Sequence, residues 1–226
     1  LMTLNRHPVV NEKEGRAYRS LIWSPTSYSA VMLSDYGASS EHGFEPSTEL
    51  LFGMGIAMDR ATRSEWAPGI GQVVRGPRLG AESVPVGGVV MMPWSIARQH
   101  RPGADVLVVP TAPDALRRQW EKDQKRYFQP GEEARVTVVA GDHGIAAWTP
   151  AALNRTPLIQ TKLGEQAVVV VESNSVVSAF ESSLGERSLS LTQVGTVFWS
   201  GAPLLWDEGS NTLWEGYTGE VLSAGS

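Results

Sequence analysis

Glu165-Gln166-Ala167-Val168-Val169-Val170-Val171-Glu172, set between Gly164 and Asn174, is the stretch on which the fold class of this chain turns. It is short, β-branched and bounded by turn residues, so it reads as a strand. Working outward, Ser175–Phe180, Ser188–Gln193 and Thr196–Trp199 repeat the pattern, with turn residues between them. Trp206 to Trp214 reads as a strand–turn–strand hairpin. Gly53–Met58 and Ser64–Trp66 read similarly earlier in the chain. Upstream, Val136–Ala140, a turn at Asp142–Gly144, a second strand and a short helix entering through Thr149-Pro150 precede the valine strand. Between the two strand-rich regions, Pro93 to His100 predicts a short helix and Ala104–Val109 a strand. Thr111 to Asp114 has capping-box spacing before a helix carrying Leu116, Trp120 and Tyr127 on one face.

The chain also resembles itself. Leu4-Asn5-Arg6-His7-Pro8-Val9-Val10-Asn11 recurs as Leu153-Asn154-Arg155-Thr156-Pro157-Leu158-Ile159-Gln160, an offset of 149 that also matches Lys13 with Lys162, Gly15 with Gly164, Ser29 with Ser178 and Ala30 with Ala179. Nine of the 27 positions from 4 to 30 are identical, Ser24 with Ser173 included, where chance gives about two. A second block follows at an offset of 148, pairing Gly53 with Gly201, Asp59 with Asp207, Trp66 with Trp214, Gly71 with Gly219 and Val73 with Val221. Duplication is the simplest account. It divides the chain into a first unit at 1–76, a connecting segment at 77–135 and a second unit at 136–226, all within one compact domain. Leu1 matches Pro150, so the first copy starts inside its unit. The expected fold is mainly β (a β-rich α+β fold): two related units forming a pseudo-two-fold sandwich or barrel-like sheet, with a few short helices.

Composition narrows the chemistry. The chain has 226 residues and a net charge of −5, and its clustered Arg117, Arg118, Lys122, Lys125 and Arg126 alternate with Glu121 and Asp123, a solvated helix face rather than a nucleic-acid footprint. There is no cysteine, which excludes disulfides, thiolate metal sites and cysteine nucleophiles. No apolar run reaches the ~20 residues of a membrane helix, and Leu1 to His7 does not read as a signal peptide. His7, His42, His100 and His143 lack metal-site spacing, so neither a metal nor a cofactor is expected. No serine has glycine on both sides at two residues' distance, the nucleophile-elbow pattern.

In order along the chain, Asn5 to Asn11, Trp23-Ser24-Pro25-Thr26-Ser27-Tyr28-Ser29-Ala30, Phe52-Gly53, Asp59-Arg60, Trp66, Trp94 with His100 and Pro102, and Ala147-Trp148-Thr149-Pro150 resemble a bacterial and archaeal family known only as a domain of unknown function. Its members often look exported, so the resemblance implies an extracytoplasmic or secreted protein. That family usually carries Cys-Pro-Leu-Cys where this chain has Ser24-Pro25-Thr26-Ser27. Hydroxyls neither exchange disulfides nor bind soft metals well, so no thiol role operates here.

Three functional expectations follow. The first is a non-enzymatic module that binds a small ligand or protein partner in a groove between the units, through His7, Trp23, Ser24, Ser27, Tyr28 and Asp59. Divergence motivates it: His7 stands where the second copy has Thr156, and Trp23-Ser24-Pro25 where it has Glu172-Ser173-Asn174. The second is a hydrolase built on His7, Ser27 and Asp59. The third is a structural subunit of an assembly. Asp59/Trp66 and Asp207/Trp214 share one spacing, read as a carboxylate that caps its own turn before a core tryptophan; with Gly71 and Gly219 they are structural markers of the repeat.

Overall fold

The computed structural model describes residues 4–5, 7–14, 17–34, 43–51, 54–82, 89–106, 118, 122, 136–141, 144–174, 176–197 and 201–224. The chain forms two compact units, one comprising residues 1–89 with 109–128 and the other 90–108 with 129–226. Both are built from antiparallel sheets, and none of the sheets closes into a barrel.

In the first unit, β1 (Val9–Glu14), β2 (Ala17–Ser24) and β3 (Ser29–Ser34) form a three-stranded sheet in sequence order. The strands β4 (Phe44–Leu51), β5 (Met54–Asp59), β6 (Glu65–Ala67) and β7 (Gln72–Arg75) form a four-stranded one. A 3-10 turn at Pro68–Ile70 links the last two strands and ends on Gly71 at φ 65°. Residues 72–75 form a strand because Gly71 and Gly76 supply the left-handed corners and leave the apolar Val73 and Val74 free to extend.

The second unit begins with α1 (Trp94–His100), followed by a hairpin of β8 (Thr137–Gly141) and β9 (Gly144–Trp148) and by α2 (Pro150–Arg155). Thr149 caps α2, its hydroxyl accepting the Ala152 N–H, with Pro150 at the first helical position. Then come β10 (Leu158–Leu163), β11 (Gln166–Ser173) and β12 (Val176–Glu181) as a three-stranded sheet. A small hairpin, β13 (Ser183–Leu184) with β14 (Arg187–Ser188), precedes a four-stranded sheet of β15 (Leu191–Thr196), β16 (Pro203–Asp207), β17 (Thr212–Glu215) and β18 (Val221–Ala224). Ala104 to Val106, expected in a strand, lie in none. The helix expected around Leu116, Trp120 and Tyr127 and the strand end at Trp199 lie outside the described residues, although Arg118 and Lys122 are helical and exposed as a solvated face requires.

The valine strand shows why this architecture forms. Along β11, Val169 and Val171 join Leu189, Leu191, Leu205 and Trp214. Val168 and Val170 join Leu153 of α2 and Leu163, with Trp148, Val139 and Ala146 of the hairpin. Successive side chains point to opposite faces, so an unbroken apolar run is what a strand covered on both sides needs. The first unit packs one such core, from Ile22, Leu33, Phe44, Ala57, Trp66 and Val73 with Val9.

An amide side chain stitches the two sheets of each unit together. Asn11 on β1 donates from Nδ2 to the Phe44 carbonyl at 2.8 Å and accepts the Phe44 N–H at 2.9 Å. Gln160 on β10 does the same to Leu191, at 2.9 and 2.8 Å. Gly43 approaches so closely that a Cβ there would stand 2.5 Å from Asn11 Oδ1.

Candidate functional site

The tip of the β2–β3 hairpin is longer in the first unit than its counterpart in the second. Ser24 pairs with Ser29, closing over the four residues Pro25 to Tyr28. In the second unit Ser173 pairs with Val176, closing over two. Ser29 and Ala30 therefore occupy the places of Val176 and Val177, and the expected matches with Ser178 and Ala179 dissolve. The extra residues are hydroxyl-rich, and the loop closes through Tyr28 in the left-handed region at φ 53°, a conformation that costs a residue with a Cβ about 1 kcal/mol or more.

Trp23 is not a pocket wall. It is 1% exposed; its indole N–H donates to Asn5 Oδ1 at 2.6 Å, and Tyr28 packs edge-on against it, ring centroids 5.2 Å apart. Tyr28 itself is 45% exposed, so the indole serves as its platform. Ser24 Oγ accepts N–H groups from Gly55 at 3.0 Å and Ser27 at 3.4 Å and lies 3.1 Å from Thr26 Oγ1. Ser27 Oγ meets Ser29 Oγ at 2.8 Å on the surface. Neither arrangement presents a base to a serine, which activation requires.

His7 is exposed, just before Pro8, whose carbonyl accepts the Trp23 N–H at 2.6 Å. Asp59 stands apart. It lies four residues along β5 from Gly55, the residue bonded to Ser24, which is about 13 Å of strand. Its carboxylate takes the N–H groups of Ala61 and Thr62 and the Thr62 hydroxyl, with Arg78 at 3.7 Å. Asp207 does the same with the Ser190 and Ser210 N–H groups, the Ser210 hydroxyl and Arg187. Burial alone would raise the Asp207 pKa; these hydrogen bonds and Arg187 outweigh it and hold the carboxyl below the usual range. Both aspartates are turn caps, each followed by a core tryptophan, Trp66 and Trp214. Of the six residues singled out in sequence, the hairpin brings Trp23, Ser24, Ser27 and Tyr28 together and leaves Asp59 elsewhere.

Beside the hairpin lies a shallow recess of about 220 Å³, solvent over its mouth included, lined by Ile22, Ser24, Ser29, Met54, Gly55 and Gly69 among others. Small-molecule sites generally run to ~300–1,000 Å³; with the open solvent set aside this recess holds about one water-sized space.

Sequence reasoning missed two features. One is the floor of that recess, Gly69 and Met54. The 148 offset sets Gly69 against Tyr217 and Met54 against Ala202, and that signal was present in the repeat. The other is a buried pair in the second unit. His100 Nδ1 lies 3.8 Å from Glu215 Oε1, their side chains 8% and 5% exposed, and among the described residues neither imidazole nitrogen nor Oε1 has a hydrogen-bond partner. Tyr217 packs edge-on against this imidazole. Glu215 Oε2 accepts the Thr218 N–H and hydroxyl. Ala67 occupies the position of Glu215 in the first unit, so the acid belongs to the unit on which α1 docks. Among the described residues no group of three or more His, Asp or Glu is placed to hold a metal ion, and no helix is long and apolar enough to cross a membrane.

The model of one protein family, described as a protein of unknown function (DUF3179), matches residues 1–225. No curated protein and no solved structure matches the chain.

Proposed function

Because the chain belongs to DUF3179, a family of unknown function, we propose from its own residues that it is a non-enzymatic binding module engaging a protein partner through the β2–β3 hairpin of its first unit. One observation carries this reading: Tyr28 is held half-exposed, over a buried tryptophan, at the tip of a turn two residues longer than its counterpart in the second unit. An aromatic ring already fixed on a rigid support loses little freedom on binding, which is why such residues anchor interfaces. The serines support the turn rather than a reaction.

The same reading takes the two units as products of duplication. Equivalent positions hold equivalent parts: Val9 and Leu158, Ile22 and Val171, Leu33 and Phe180, Phe44 and Leu191, Ala57 and Leu205, Trp66 and Trp214 all lie in or against their unit's core. The amide stitches and the aspartate turns correspond too. A second copy that keeps the scaffold frees the first to diverge at its hairpin. An extracytoplasmic location goes with this reading, supported by the exported members of the family the chain resembles; fractionation of the native host would test it.

A photo-crosslinking residue at position 28, compared with one at the exposed Leu184 of the second unit, tests the binding reading in the native host. A discrete protein adduct from position 28 alone supports it. Identical adducts from both sites, or none from position 28, overturn it.

A second reading, as a subunit of an assembly, is favoured by the β8–β9 hairpin. Val138 pairs with Ala147 and Ala140 with Ile145 on one face, and all four are exposed, with Val138 at 56% and Ile145 at 75%. Sedimentation of the wild type against Ile145→Lys tests it: an oligomer that the substitution dissociates supports the reading, and a monomeric wild type removes it.

A further inference from the structure

The four-stranded sheet of each unit has an outer strand that starts at the amide stitch, β4 in the first unit and β15 in the second. Along an antiparallel strand, alternate residues turn both their N–H and their carbonyl to the same side. Phe44 and Leu191 turn theirs away from the sheet, and the amides of Asn11 and Gln160 fill those first outer rungs. The next outward residue lies two positions on. In β4 it is Pro46, paired with Ala57, and proline has no N–H to offer. In β15 it is Gln193, paired with Leu205, which keeps its donor. The two edges differ in charge as well. Glu45 and Glu49 lie on β4, whereas Leu191 to Thr196 holds no charged residue and no proline. Proline and charge are means by which sheets keep an outer strand from pairing with another chain. The β4 edge has both, and the β15 edge has neither.

The open edge continues past Gln193. Val194 is the extra residue of a bulge, after which Thr196 pairs with Pro203. The Pro203 carbonyl accepts the Gly216 N–H at 2.8 Å, on the β17 side, so Thr196 opposite it turns its own N–H and carbonyl outward. Gln193 and Thr196 are thus the next rungs of β15, and among the described residues no backbone group pairs with either along that edge. Thr192 to Thr196 are all exposed, Val194 at 54%.

We propose that β15 is a self-association edge, pairing antiparallel with β15 of a second copy and joining the two four-stranded sheets into one. The spacing of the open rungs selects a copy of this chain as the occupant. A two-fold axis beside Val194 and Gly195 sets Gln193 of each copy opposite Thr196 of the other, and each meeting exchanges N–H···O bonds in both directions. No like charges face one another across the axis. The second copy carries the same bulge and so the same local twist, which keeps the two edges matched. A single strand pair buries less than the ~1,200 Å² of a stable complex, so the association is weak and concentration-dependent. Neither Tyr28 nor the β8–β9 face takes part in this pairing, which is independent of both readings above.

Sedimentation equilibrium of the full chain, from about 10 μM to about 1 mM so as to reach weak dissociation constants, tests the pairing together with amide hydrogen exchange. The expected result is a dimer that grows with concentration, with the Gln193 and Thr196 amides gaining protection in step. The Leu191 amide, bonded to Gln160, stays protected throughout. Gln193→Pro gives the β15 edge the device that β4 has at Pro46, and weakens the dimer at least about tenfold; its thermal midpoint shows that it is folded. Should that variant not fold, Val194→Lys, which sets a charge beside the axis at an exposed position, weakens the dimer in its place. A chain that stays monomeric up to about 1 mM overturns the proposal. So does a dimer in which the Gln193 and Thr196 amides remain unprotected, or one that the folded variant leaves intact. A dimer lost in Ile145→Lys and kept in Gln193→Pro overturns it too, while leaving the assembly reading through the β8–β9 face in place.

Discussion

Asn11 and Phe44 exchange two hydrogen bonds, so that one side-chain amide reproduces the reciprocal pairing of an antiparallel ladder across the gap between β1 and β4. The Ser20 hydroxyl, 0% exposed as a residue, holds the amide from behind through Oδ1 at 2.7 Å. The joint between the two sheets of the unit is thus polar and directional, set inside an apolar core.

Asn11→Leu keeps the volume and removes the joint, leaving the Phe44 N–H and carbonyl without partners. The expected cost is about 2–6 kcal/mol, from two groups each worth about 1–3 kcal/mol when left unpaired. Hydrogen exchange checks it: the Phe44 amide loses protection in Asn11→Leu while Leu191 keeps its own, and Gln160→Leu gives the converse.

Asp207 supplies an acid-sensitive element to the second unit. Its folded pKa lies below the ordinary carboxylate value, so its stabilisation is fully present above about pH 4 and is lost as pH falls through the lower, folded value. Denaturant melts between pH 7 and pH 2.5 should show this loss for the wild type and a flatter profile for Asp207→Asn, which should also be less stable at pH 7 by about 1–3 kcal/mol.

Tyr28 separates binding from stability. Tyr28→Gly relieves a left-handed φ, worth about 1 kcal/mol, and forfeits an edge-on aromatic contact worth about 0.5–1.5 kcal/mol. The two nearly cancel, so the melting temperature should move by only a few degrees while the partner adduct from a crosslinker placed at Ser27 disappears. Tyr28→Ala loses the contact without relieving the backbone and should be the less stable of the two.

The His100–Glu215 pair responds asymmetrically. His100→Phe fills the same space and removes two buried nitrogens that have no hydrogen-bond partner among the described residues, so stability should hold or rise. Glu215→Ala strips the Thr218 N–H and hydroxyl of their acceptor and should cost about 2 kcal/mol. Thermal melts of the two variants distinguish these outcomes.

What could be read from the sequence was whatever lies close along the chain. The valine run, the cap at Thr149 and the aspartate turns before Trp66 and Trp214 each depend on neighbours a few residues away, and each forms as expected. Trp23 was misjudged as a pocket wall because the group that satisfies its indole, Asn5, lies 18 residues back. His100 and Glu215 are 115 positions apart, and no local pattern joins them. The identical pairs Ser29/Ser178 and Ala30/Ala179 suggested an unbroken offset, but pairing across the hairpins places a two-residue difference inside the turn.

The exchanged core residues bear on how such a chain reaches its folded state. Leu33 and Phe44 share the core of the first unit, while Phe180 and Leu191 hold the corresponding places in the second, with leucine and phenylalanine traded between positions. Were the three-stranded sheet of one unit to collapse onto the four-stranded sheet of the other, the hybrid would contain two phenylalanines or two leucines. With Ala57 in place of Leu205 the first is hollow, and with Leu205 in place of Ala57 the second is overpacked, faults that typically cost more than about 2 kcal/mol and about 1–3 kcal/mol. In tandem chains, pairing between the wrong halves is a characteristic route to misfolding. Core residues matched within each unit thus act as a lock and key between each sheet and its own partner, steering two similarly built halves away from one another while the chain is still choosing its contacts.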